Sequence, residues 1–288
     1  MSSPGRARLG VLAAALLFST GGAAIKAAGF TGWQVASLRS GIAAVAVLLL
    51  SRQARTGWTW RAVAVGLAYA ATLVLFVLAT RLTTSANAIF LQATAPLYLL
   101  ALGPWILHER IDRRDLLVMA ALAAGLACFF VGREPSYLTA PDPASGNLLA
   151  ALSGLTWAIT VVGLRWLGKH GGAPTAAIVS GNFAAFAAAL PFAWPLGSHP
   201  IRDWLLVIYL GVFQIGLAYI LVSAAVTVLP AFEVTLLLYL EPALNPVWAY
   251  LAHGERPGAL ALLGGTIILG TTAIKAVSAG RWRAQMES

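Results

Sequence analysis

The chain has 288 residues, 59% of them hydrophobic and only 10% charged, with a mean hydropathy of +0.81. Soluble chains carry roughly 25% charged residues, so this composition excludes a largely water-facing surface and makes lipid the main solvent. The net charge of +9 sits in short segments between apolar runs, which makes it a signal of membrane topology with no nucleic acid partner implied. Cys128 is the single cysteine and lies inside an apolar run, which excludes a disulfide framework or thiolate metal cluster within one chain.

A helix crossing a hydrocarbon core of about 30 Å needs about 20 apolar residues. Apolar runs bounded by charges, prolines and glycines place such spans at 7–28, 33–50, 60–80, 84–107 and 115–131. After a polar, proline-rich stretch, five more follow at 146–167, 174–194, 203–227, 229–251 and 257–276. The first run follows Arg6 and Arg8 and is longer than the ~7–15 apolar residues of a signal peptide, so it reads as an uncleaved span. The expected fold is an all-α integral membrane protein of ten transmembrane helices.

With the N-terminus inside, the cytoplasmic segments hold thirteen basic residues: Arg6, Arg8, Arg52, Arg55, Arg61, Arg110, Arg113, Arg114, Arg165, Lys169, Lys275, Arg281 and Arg283. The opposite side holds six, namely Lys26, Arg39, Arg81, Arg133, Arg202 and Arg256. That bias puts both termini in the cytoplasm of a bacterial-type inner membrane.

The chain also repeats itself. Pro96 and Glu109-Arg110 match Pro242 and Glu255-Arg256 at one spacing of 146 residues (242 − 96 and 255 − 109). Each copy has a proline early in a span and Glu-Arg at its end. A first repeat over 1–132, a connecting loop over 133–145, a second repeat over 146–280 and a tail over 281–288 follow. Five spans per repeat is an odd number, so the second copy enters the membrane inverted, as in many secondary transporters that open alternately around a midplane site.

At these residues the chain resembles the EamA-type drug/metabolite transporters, and among them the amino-acid exporters of the YddG kind. Phe18-Ser19-Thr20 and Lys26 in the opening span add to the likeness, although Phe18-Ser19 replaces the family's usual Trp-Gly. The resemblance implies ten helices, a central cavity lined by spans 1, 3, 4, 6, 8 and 9, and export driven by ion or substrate gradients.

An ionisable side chain in mid-bilayer is costly and persists mainly where it meets a wet cavity or a partner. Lys26, Arg39, Glu233 and Glu241 are the candidates. At ~1.5 Å per residue Glu241 falls near the midplane, whereas Glu233 lies only about a turn into its span. Glu241 also precedes Pro242, which removes an intrahelical bond and frees a carbonyl. Two readings of Glu241 stay open: a cavity residue for substrate ammonium or protons, or a hydrogen-bonded glutamic acid tying span 9 to a neighbour.

Polar and aromatic stripes mark further candidates on the lining spans. Ser153, Thr156, Trp157 and Thr160 share one face of span 6, and Tyr69, Thr72, Phe76 and Thr80 one face of span 3. Hydroxyls suit the polar end of an amphipathic metabolite and rings its side chain, with Trp157 as the aromatic wall. Small and hydroxylated residues at this spacing also serve plain helix packing. Asn87, Thr94 and Tyr98 keep one face of span 4 while Gln92 points elsewhere; Asn87 is the counterpart of Glu233. Tyr219 and Ser223 join from span 8, and Tyr239 lies beside Glu241. Lys26, Pro96 and Pro242 are gating candidates: by the family resemblance Lys26 pairs with an acid to close an external gate or attracts a carboxylate. Alternatively Lys26 and Arg39 snorkel to the headgroups at the outer mouth. The Glu-Arg pairs read as helix caps.

Other motifs fall away. Gly163 to His170 has the spacing of a phosphate loop, but His170 replaces the required Ser or Thr. His108, His170, His199 and His253 stand singly without a second metal ligand, and Gly264-Gly265 allow close packing or, less simply, a dimer contact. Scattered acids argue against a membrane enzyme, and duplicated halves with broken helices against a channel. The reading is a secondary transporter that exports small metabolites, amino acids first, aromatic and other hydrophobic ones included. Nucleosides, sugars and lipophilic cations are the alternative cargo. Its partners are the bilayer and a small-molecule substrate, with no cofactor or metal, in a monomer or homodimer.

Overall fold

A computed structural model describes residues 4–106, 113–131, 138–225, 228–229 and 231–286, and among these the chain is helical with no strand. Glu109-Arg110, His108 and Arg133 lie outside the described residues. The helices are α1 (Pro4–Ser19), α2 (Gly21–Ala27), α3 (Gly32–Leu50), α4 (Trp60–Leu82), α5 (Ser85–Gln92), α6 (Ala95–Ile106) and α7 (Arg113–Val131). They continue as α8 (Pro143–Lys169), α9 (Pro174–Ala193), α10 (Ile201–Tyr209), a π-helical segment (Leu210–Leu217), α11 (Ala218–Ala225), α12 (Ala231–Leu238), α13 (Leu240–His253) and α14 (Ala259–Met286).

Among the described residues, six stretches are long and apolar enough to cross a membrane: Pro4–Ala27, Gly32–Leu50, Trp60–Leu82, Pro143–Gly168, Pro174–Ala193 and Ile201–Ala225. Threonines begin several helices because a side-chain oxygen can take an otherwise unpaired first-turn N–H. Thr31, Thr59 and Thr84 do so for α3, α4 and α5. Asp142 caps α8 by accepting the Ser145 N–H, and the Ser145 hydroxyl and N–H hold this exposed carboxyl below the usual carboxylate range.

Three of the spans placed from the sequence, 7–28, 84–107 and 229–251, are interrupted in the structure. The first breaks at Thr20, the second at Ala93-Thr94 and the third at Tyr239. The last two breaks sit at equivalent places in the repeat, with Pro96 and Pro242 in the first turn of the helix that follows. Proline is tolerated there because its missing N–H would have no intrahelical partner anyway.

Helices from the two sequence halves interlock. α4 packs on α8 and α9, α3 on α9 and the π segment, α1 on α11, α12 and α13, and α7 on α14. Lipid supplies no hydrophobic drive for these contacts, so close backbone approach through small residues carries much of the association. A Cβ on Gly181 would lie 2.6 Å from the Gly66 carbonyl oxygen and 2.8 Å from the Tyr69 ring; one on Gly264 would lie 2.6 Å from the Gly125 carbonyl. Gly264 is thus spent on an internal contact with α7, and Gly265 meets Phe90 in the same way.

Gly181→Val should therefore lower the thermal unfolding midpoint in detergent, by the about 1–3 kcal/mol typical of overpacking. Gly270→Val, where an added Cβ meets nothing within 4 Å, should shift it far less. Equal shifts in the two variants would contradict the close α4–α9 crossing.

Candidate functional site

A cavity of about 200 Å³ lies between the two sequence halves. Tyr69, Thr72, Phe76, Trp157, Tyr219 and Glu241, all candidates from the sequence, line it. Four polar or aromatic neighbours join them: Phe18, Arg39, Gln92 and Gln214. The rings stand at angles to one another. Tyr69 and Tyr219 meet edge to face at 5.6 Å, Phe18 and Tyr219 at 5.3 Å, and Trp157 stands 6.3 Å from Tyr69.

A second chamber of about 370 Å³ shares Gln92, Trp157, Leu238 and Glu241 with the first. Its wall includes both helix breaks, with Ala93, Ala95 and Pro96 from one and Tyr239, Glu241 and Pro242 from the other. Interrupted helix at membrane depth is tolerated where it lines such a space. Glu241 occupies the first turn of α13, where the helix dipole favours an anion, and no described side chain is hydrogen-bonded to it. A third cavity, of about 380 Å³, reaches Ser51, Gln53 and Thr175 and shares only Tyr219 with the first. Ser223 belongs to this outlying cavity. Tyr219 is thus a partition between the central cavity and the end of the bundle where α3 terminates.

Several sequence candidates serve packing instead. On α8, Ser153 and Thr160 are fully buried. Ser153 accepts the Gln92 amide at 2.7 Å, Thr156 accepts the Thr72 hydroxyl at 2.9 Å, and Thr160 donates back to the Thr156 carbonyl. Their stripe faces α4 and α5, and only Trp157 reaches the cavity from α8. Thr80 likewise bonds to its own helix. Asn87 is buried in a network with Thr83 and Asn147, away from the cavity. Thr94 and Tyr98 line none of the three cavities described.

Gln92 points away from Asn87, as expected, but it is Gln92 that reaches the cavity, and the face of Asn87, Thr94 and Tyr98 does not. The break between α5 and α6 interrupts the helical phase on which a face through Asn87, Thr94 and Tyr98 is counted. Arg39 is a second correction. It does not snorkel to headgroups: it is 2% exposed and its side chain lines the central cavity. The π segment crosses α3 here so closely that a Cβ on Gly211 would lie 2.9 Å from the Arg39 carbonyl oxygen. Gln214 on the same segment lines the cavity beside Arg39. No stripe in the sequence marked Gln214, because π winding departs from the 3.6-residue period.

Lys26 does not snorkel either. Its ammonium lies 2.5 Å from the Glu255 carboxylate, and both side chains are 3% exposed. Lys26 also donates to the carbonyls of Thr83, at 2.7 Å, and Thr139. Glu255 in turn accepts the Ser85 N–H at 2.9 Å, the first N–H of α5. Glu255 therefore caps a helix and neutralises a buried cation. Two more bonds stitch α13 to the opening helices: Trp248 to Ser19 at 2.9 Å and His253 to the Ala23 carbonyl at 2.8 Å. At the opposite end, Arg8–Glu233 and Lys275–Asp115 are far more open, with side chains 54% and 29% exposed in the first pair and 33% and 23% in the second.

The EamA-like transporter family matches residues 6–131 and again 144–275, two copies that together take in most of the chain. No curated protein matches it. A crystal structure of another protein superposes with a TM-score of 0.62 at 20% identity, over 97% of this chain and 99% of that one, a likeness that shows the fold alone. Two family copies in tandem, apolar helices long enough to span, and interrupted helices around an internal cavity agree with one another: the chain is a multi-pass membrane protein and belongs to the EamA-like transporter family.

Proposed function

We propose that the chain is a secondary transporter that exports amino acids, those with aromatic or other large hydrophobic side chains included, by alternating access through the central cavity. The carrying observation is a central cavity whose wall combines the rings of Tyr69, Trp157 and Tyr219 with Arg39 and Glu241, next to an outlying cavity that shares Tyr219 with it. The rings of Tyr69, Trp157 and Tyr219 suit the substrate side chain, and Glu241 suits its ammonium group or a coupled proton. The likeness of the opening span and repeat to amino-acid exporters of the YddG kind supports the same cargo.

The reading includes ten crossings as two inverted five-helix repeats over 1–132 and 146–280, joined by 133–145, with the tail 281–288 and both termini cytoplasmic in a bacterial-type inner membrane. Side-chain pairing supports it. In that topology Lys26, Thr83, Thr139 and Glu255 all fall on the outer side, and these four groups meet. Arg8 and Glu233 fall together on the inner side and pair there. Lys26–Glu255 is then the external gate. Pro96 and Pro242, each just past a break, mark the points about which the two halves flex.

Counterflow into liposomes, run with labelled amino acids, a nucleoside and a lipophilic cationic dye, with and without a pH gradient, tests the cargo. Amino acids should exchange, and Glu241→Gln should cut the rate at least about tenfold while the thermal midpoint holds. Exchange of nucleoside or dye alone would contradict the reading, and an unchanged rate and pH profile in the variant would remove Glu241 from it.

The gate has its own test. Removing one partner of a buried pair leaves an uncompensated charge, worth about 3–5 kcal/mol. Glu255→Gln and Lys26→Met should each lower the thermal midpoint in detergent, and Lys26→Met/Glu255→Met should recover most of the loss. Additive losses in the double variant would contradict a coupled pair.

A further inference from the structure

The position of Arg39 names the chemistry of the cargo more narrowly. Its guanidinium carries five N–H donors in a rigid fork that fits a carboxylate with two parallel bonds. Here the fork is almost unused. One terminal nitrogen reaches the Leu73 carbonyl at a long 3.4 Å, and the buried Nε has no hydrogen-bond partner. Among the described residues no carboxylate forms an ion pair with it; the titratable groups acting on it are the phenols of Tyr69 and Tyr219. Two further cations of the bundle interior have partners: Lys26 has its own glutamate, and Arg81 donates to the carbonyls of Ala28 and Phe30.

An unpaired buried guanidinium is costly, so its presence in a cavity wall calls for an anion from elsewhere. The same cavity presents Glu241, and Tyr219 lies within electrostatic reach of both charges. Gln214, beside Arg39, has a buried Oε1 that is also unpartnered. One wall therefore offers a cationic fork and another a carboxyl group, with aromatic rings between.

We propose that Arg39 is the carboxylate-binding residue of the transport site, so that cargo is selected by a free carboxylate held at Arg39 and an ammonium group held toward Glu241. The assignment rests on the export reading above and adds a requirement to it: an amine without the acid, or an amino acid whose acid is esterified, is a poor ligand. Arg39 is then a specificity residue and not a packing element. Its removal relieves the empty protein of an unpaired charge while it abolishes recognition.

The test uses the full-length protein in detergent and in liposomes. Phenylalanine and leucine, phenylalanine methyl ester, phenylethylamine and 3-phenylpropionate are offered as competitors of amino-acid exchange and as ligands raising the thermal midpoint. The free amino acids should compete, and the ester and the amine should be roughly ten- to a hundredfold weaker. Arg39→Met should weaken amino-acid binding by the same factor without lowering the ligand-free midpoint, and should erase the difference between acid and ester. Arg39→Lys should restore part of it. Equal potency of acid, ester and amine on the unaltered protein would overturn the assignment while leaving amino-acid export intact, and so would a ligand-free midpoint that falls in both variants with the preference for acid over ester retained. Binding of 3-phenylpropionate without any amino acid would uphold Arg39 and overturn the amino-acid reading. Exchange of the nucleoside or dye alone would overturn both.

Discussion

The structure is organised by what an apolar solvent does to charge. Lipid cannot solvate an ion, so each charged side chain deep in the bundle must meet an opposite charge, a row of carbonyls or an internal wet space. Lys26 and Glu255 meet each other and three backbone groups, and this pair fastens α13 and the start of α5 to the opening helices. Arg39 and Glu241 have no such match and face a common cavity. The satisfied pair joins helices; the unsatisfied pair faces an internal space. Lys26 and Glu241 stand on helices that follow interruptions of α1–α2 and α12–α13, whereas Arg39 comes from the unbroken α3.

The same economy runs through the packing. Glycines at 66, 125, 181 and 264 let backbones touch where side chains would hold them apart, and the halves interlock as α3 and α4 against α9 and α8. Close contact on that side leaves the π segment of the eighth span to bend around α3 at Arg39. Tyr219 stands in the resulting wall and lines both the central cavity and the outlying one.

Much of this was legible in the amino-acid order. Apolar runs gave the helical class, the 146-residue spacing gave the duplication that the family match repeats over 6–131 and 144–275, and the mid-span charge at Glu241 pointed to the cavity. Trp157, Tyr69 and Thr72 line the cavity on the faces that periodicity marked because α4 and α8 are unbroken there, and Tyr219 does so from α11, just past the π segment. Periodicity failed where helices break or change pitch: Gln92 at the end of α5 and Gln214 on the π segment. It also could not separate a hydroxyl stripe that lines a cavity from one that bonds to the next helix, as Ser153 and Thr156 do. Arg39 was a candidate whose snorkelling orientation was wrong for a different reason. About 10 Å into α3, a long basic chain has the reach to snorkel, and only the neighbours Tyr69, Leu73 and Gln214 show that it turns inward.

The central claim is a single chamber closed at the Lys26–Glu255 end and reached past Tyr219 from the other. Its most direct test is thiol labelling in oriented membrane vesicles, with Cys128→Ala as background and Val222→Cys placing a thiol in the cavity wall. The account predicts that a membrane-impermeant maleimide modifies this thiol from the cytoplasmic face and not from the outer one, and that excess amino acid slows the reaction. Labelling from the outer face alone, or equally from both with no protection by amino acid, would contradict it.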